Sequence, residues 1–180
     1  MIEGFTAAAA ANACVVHGPL RPAEAAEQVV GVVLGHAHGG DVAVAHDALL
    51  EELDVGPRLA RGGARLLRPD EPEWAERLPD AAVGVTGSVA AVAATGTVAL
   101  AASPGSPRAT SLLPPVHVCL VRVGDVVAEF ADALVRLAAG ALPSALIWVG
   151  GPSRTSDLEM KPTLGVHGPK VVEVMLVSSM

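Results

Sequence analysis

Residues 115–123 read PVHVCLVRV, and from Val116 to Val123 only His117 and Arg122 interrupt the apolar side chains. A strand with one wet face alternates apolar and polar residues. A strand apolar at nearly every position is covered on both faces, as in a parallel sheet. KVVEVMLV (170–177) and SALIWVG (144–150) have the same character. Between them, residues 126–139 place Val127, Phe130, Leu134 and Leu137 at spacings of 3, 4 and 3, which predicts a helix ending near Gly140.

Upstream the alternation continues. Residues 13–18, 41–46, 63–68, 81–87 and 97–103 read as strands, and residues 23–37, 48–53 and 88–94 as helices, the last capped by Ser88. Alternating apolar strands and helices give an α/β fold whose main sheet is largely parallel, with ligands taken outside the carboxyl ends of its strands.

A chain of 180 residues fits one domain. With two Phe and two Trp, the core must be built from small aliphatic side chains. A net charge of −7, with scattered basic residues, argues against nucleic-acid binding. Residues 81–107 carry no charge, but four glycines and three threonines break the run, so no membrane span is expected. The N-terminus carries Glu3 and no basic segment, unlike a signal peptide. Cys14 and Cys119 stand far apart with no CxxC, so an iron–sulfur cluster or a cysteine-ligated zinc is not expected. Two free thiols fit a reducing cytoplasm.

GxGxxG, GxxxxGK[ST] and GxSxG are absent, which weakens dinucleotide, nucleoside-triphosphate and serine-hydrolase readings. His36, His38 and His46 lie in HAHGGDVAVAH and read as polar residues of a glycine-rich connection rather than a metal set. Arg108 follows SPGSP and is the only charge between Asp80 and Arg122; its guanidinium suits a carboxylate or phosphate. Residues 150–170, GGPSRTSDLEMKPTLGVHGPK, place a Gly-Pro-Ser turn, two carboxylates and a glycine-flanked histidine between two apolar strands. The turn can form an anion-binding nest, or Thr155, Ser156 or Asp157 can cap a short helix. Asp157 and Glu159 can divide acid and base roles if their surroundings separate their pKa values. His167 is presented between Gly165 and Gly168.

Three phrases, VGVTGSVAAVAATGT, PRATSLLPPVH and GPSRTSDLEMKPTLGVHGPK, in this order, resemble the lactate utilization protein C family, also called LUD-domain proteins, over about residues 83–176. The resemblance implies a NagB/RpiA/CoA-transferase-like fold, a three-layer α/β sandwich with a largely parallel sheet, in a single domain over residues 1–180. It implies a component of a multi-protein system that oxidises L-lactate to pyruvate, with iron–sulfur clusters only in partner proteins and a small anionic ligand here. Carried over by match, the catalytic positions are Glu159, Asp157 and His167. The ligand-binding positions are Thr86, Thr95, Gly96, Thr97, Arg108 and His117, with Gly151, Ser153, Thr155 and Gly168 in the loop. Where the family reads AETGT this chain reads AATGT, so Ala94 stands in place of an acid. Two other readings compete: a free-standing CoA-transferase-like or folate-ligase-like enzyme that uses Glu159 on an acyl or anionic substrate, and a scaffold or regulator.

Overall fold

A computed structural model describes residues 1–140, 143–155, 163–164 and 168–179. Its centre is a six-stranded parallel sheet of β1 (Val15–Leu20), β2 (Asp41–Val44), β3 (Arg65–Leu67), β4 (Val83–Gly87), β7 (Val116–Arg122) and β12 (Val171–Val177), ordered β1-β12-β7-β4-β2-β3. A second sheet, β8-β5-β6-β9, is built from β5 (Ala90–Val92), β6 (Thr97–Ala101), β8 (Val126–Val127) and β9 (Leu146–Val149). A short pair, β10 (Arg154–Thr155) and β11 (Thr163–Leu164), lies within the 150–170 loop. The helices are α1 (Ile2–Ala11), α2 (Pro22–Ala37), α3 (Ala48–Glu52), α4 (Val55–Arg61), α5 (Trp74–Arg77), α6 (Ala109–Leu112) and α7 (Phe130–Ala138).

The apolar run at residues 116–121 is explained by two cores. Val116, Val118 and Leu120 point to a cluster with α2, α3 and α4; Cys119 and Val121 point to another with Phe5 and Ala9 of α1 and with Ala91, Val98 and Leu100 of the second sheet. β12 divides likewise, Met175 and Val177 against Val172, Val174 and Leu176. Each fully buried Val or Leu contributes about 1.5–3 kcal/mol, so a core of small side chains suffices. The α/β reading with a largely parallel sheet holds. The layer on the second face is mixed: α5 and α6 cover β2, β3 and β4, and α1 with the second sheet covers β1, β12 and β7.

Two expected elements differ. Residues 88–94 form no helix; Ala90–Val92 is the strand β5, antiparallel to β6 and parallel to β8. Alanine favours helix by propensity, but here Ala91 packs toward the main sheet while Ala90 and Val92 meet Ala133 of α7. Both faces are buried, and small side chains let the layers approach. The helix expected over 126–139 starts at Phe130, after β8. Glu129 N donates to Asp132 Oδ2 at 3.0 Å and caps it. Its buried face is Ala133 with Leu137, while Phe130 and Leu134 are 41% and 46% exposed. Among the described residues no helix is long and apolar enough to cross a membrane.

Candidate functional site

The second face of β4 and β7 carries a buried polar pair. The register sets Gly84 opposite His117, which brings the Thr86 hydroxyl diagonally to the imidazole: Thr86 Oγ1 and His117 Nε2 are 2.9 Å apart. Both residues are buried, and His117 Nδ1 has no partner among the described residues. Burial pushes the His117 pKa down from 6.5 to about 4, so the ring is neutral at neutral pH. Next on the same face, the Cys119 thiol is pushed up to about 12 by burial and donates to the Gly87 carbonyl at 3.9 Å. α6 lies directly over this patch. A Cβ on Gly84 would stand 1.9 Å from the Thr110 carbonyl oxygen, so only glycine admits the helix.

The AATGT phrase is the turn from β5 to β6, and it docks on the end of α1. Asn12 Nδ2 donates to the Thr95 carbonyl at 2.8 Å. Gly96 has φ +66°, and a Cβ there would meet Ala9 N at 2.2 Å. The start of the 150–170 loop joins the same cluster: Gly150 lies beside the Thr97 hydroxyl, and a Cβ on Gly151 would be 2.3 Å from the Asn12 carbonyl oxygen. Thr95, Gly96, Thr97 and Gly151 are therefore neighbours. The return leg is pinned by Ser153 N donating to Pro169 O and Lys170 N donating to Pro115 O, both at 2.7 Å, with Gly168 against the Ser153 side chain.

This places the loop differently from expectation. Gly150 does follow a carboxyl end, that of β9, but β9 belongs to the second sheet. The return leg enters β12 at the amino ends of β7 and β12, because strands of a parallel sheet are all entered from one end. Arg108 precedes α6, is exposed, and its carbonyl accepts from Ser111 Oγ at 3.0 Å. Asp157, Glu159 and His167 lie outside the described residues, as does the Thr155 side chain.

The histidines of HAHGGDVAVAH separate. His36 Nε2 is 2.9 Å from Glu173 Oε1, and His17 Nε2 is 2.6 Å from Glu173 Oε2, so two imidazoles serve a carboxylate that is only 6% exposed. His46 pairs with Asp70 at 2.9 Å. No group of three His, Cys, Asp or Glu among the described residues is placed to hold a metal. Asp47, not singled out from the sequence, caps α3 by accepting from Leu49 N at 2.9 Å and presses on Gly87, where a Cβ would lie 2.1 Å from its Oδ1. Burial raises its carboxyl, opposed by its backbone bonds and by Arg122. Its sequence signal was an aspartate just before an apolar helical run.

Comparison with known proteins agrees with this architecture. A crystal structure of a DUF162 family protein from Deinococcus radiodurans matches with TM-score 0.72 and 25% identity, covering 98% of this chain and 95% of that one. Lactate utilization protein C of Anoxybacillus flavithermus is 31% identical over 151 residues, 82% of this chain and 67% of the relative. Lactate utilization protein C of Deinococcus radiodurans is 38% identical over 71 residues, 39% of this chain and 34% of the relative. The chain thus spans about a third to two thirds of the length of the curated relatives it matches. The LUD domain model matches residues 2–177. That match runs from α1 through β12, and the chain is a member of the LUD domain family.

Proposed function

We propose that this chain acts in lactate utilization, as a component of a multi-protein system that oxidises L-lactate to pyruvate. The observation that carries the reading is the extended match to lactate utilization protein C, over 82% of this chain in one relative. Iron–sulfur partner proteins supply the electron transfer. Cluster ligation requires thiolates, and burial holds Cys14 near 11 and Cys119 near 12. This chain's part is recognition, by the glycine-framed loop that runs from Gly150 to β12.

The test is reconstitution with iron–sulfur proteins of a lactate-oxidising system, followed by lactate-dependent dye reduction. Omitting this chain is expected to drop the rate to background; an unchanged rate overturns the proposal. Glu159→Gln then separates catalysis from scaffolding. Loss of turnover with an unchanged melting temperature assigns Glu159 to the reaction, and retained turnover removes it.

A further inference from the structure

A second cleft lies away from the loop, at the carboxyl ends of β2 and β3. It encloses about 430 Å³ and is lined by His46, Leu50, Glu51, Asp54, Pro57 and Arg68, with Gly56 at its floor. The chain leaves β2 toward α3 and α4, which pack with Val42 and Val44, and leaves β3 toward α5, which packs with Ala43 on the other face. Adjacent parallel strands whose chains depart to opposite faces open a crevice at their carboxyl ends, the usual ligand position of open α/β sheets.

Arg68 follows β3 directly. Its side chain is half-buried and donates no hydrogen bond and forms no ion pair among the described residues. It runs over bare backbone: a Cβ on Gly56 would be 1.8 Å from Nη2. An arginine fork without an acceptor, seated against a glycine in a cleft, is set to receive a planar anion. Two of the neighbouring acids are already engaged, Asp54 by Arg61 at 3.2 Å and Asp70 by His46 at 2.9 Å. Asp70 only accepts, so His46 Nε2 donates.

We infer that this cleft binds an organic monocarboxylate with an apolar body, the carboxylate on Arg68 and the body against Leu50 and Pro57. The Arg68 charge helps hold the Asp70 carboxyl low without a hydrogen bond to it, so the fork is left to receive one carboxylate and not a second negative charge. A phosphate dianion would meet Glu51, Asp54 and Asp70 with nothing further to neutralise it. The volume is in the range of pockets for ligands larger than a three-carbon acid. The inference is independent of the lactate reading, since it concerns neither the loop nor its partners.

The experiment is an amide-detected NMR titration of the ¹⁵N-labelled full chain with hexanoate, L-lactate and inorganic phosphate. Hexanoate is expected to give saturable shifts at Leu50, Gly56 and Arg68. Arg68→Gln is expected to weaken it about tenfold or more, the worth of a charge-assisted hydrogen bond, with spectral dispersion retained. Arg68→Lys keeps the charge without the fork and retains part of the affinity; if Arg68→Gln does not fold, that variant and the wild-type shift map decide. Tighter binding of phosphate or L-lactate in this cleft, shifts confined elsewhere, no saturable shift, or hexanoate affinity unchanged in the folded Arg68 variants overturns the inference.

Discussion

Gly96→Ala is expected to lower stability by about 3 kcal/mol, combining the cost of a left-handed residue with that of overpacking. The residue sits at φ +66°, where a side chain is strained whatever the space. There is also no space: a Cβ would be 2.2 Å from Ala9 N, 2.5 Å from Ala8 C and 2.6 Å from Ala9 Cα. These are backbone atoms of α1 and cannot rotate aside. The helix end must withdraw, which loosens Phe5 and Ala9 in the core and stretches the bond from Asn12 to Thr95. Asn12 also contacts Gly151, so the 150–170 loop loses one of its supports. Urea unfolding reads the change as a lower midpoint at constant m-value. Gly124→Ala is the control, because nothing lies within 4 Å of the added carbon; it should stay within about 0.5 kcal/mol of wild type. Equal midpoints for the two variants would remove Gly96 from its structural role.

The strands of the main sheet were legible because burial on both faces writes a continuous apolar run. VHVCLVR and VVEVMLV are β7 and β12 with the expected limits to within two residues. Sheet membership was not legible. LIWV is as apolar as those strands, yet β9 pairs antiparallel with β6 in the second sheet, and the carboxyl-end placement of the following loop failed with it. α1 escaped notice because IEGFTAAAAA has only two large apolar residues, Ile2 and Phe5, and its packing depends on the turn at Gly96 far along the chain. The helix expected from the stripe of residues 127–137 exists from Phe130, but Val127 lies in β8 and α7 uses Ala133 with Leu137 as its contact, because β5 and β6 present only Ala90, Val92 and Ala99 there. Glu173 looked like an interruption in a strand. Its partners His36 and His17 are 137 and 156 residues away, and no local pattern announces them. Which residues meet at the β5–β6 turn is not announced locally, since glycines at close backbone approaches are fixed by contact and not by propensity.

His117 supplies the other large effect, and it is read from pH. In the unfolded chain its pKa is about 6.5, and in the folded protein burial lowers it to about 4. Above pH 6.5 the ring is neutral in both states and contributes no pH dependence. Between pH 6.5 and pH 4 the unfolded chain binds a proton that the folded protein refuses, so stability falls as the solution is acidified. Below pH 4 both states are protonated and this loss is complete. The expected loss is about 3 kcal/mol for a group this deeply buried. His117→Gln keeps an amide nitrogen near the Thr86 hydroxyl and does not titrate. The difference in unfolding free energy between wild type and variant should therefore be constant above about pH 6.5 and shift by about 3 kcal/mol against the wild type between pH 6.5 and pH 4, with Asp47 and the surface carboxylates contributing alike to both. Parallel curves would show that the imidazole is solvated in the folded protein. A shift of that sign carries a functional consequence. A ring neutral at physiological pH, bonded to Thr86 at Nε2 and open at Nδ1, offers a hydrogen bond and no charge. An anionic ligand reaching this patch would then have to be neutralised by a guanidinium brought from outside β4 and β7.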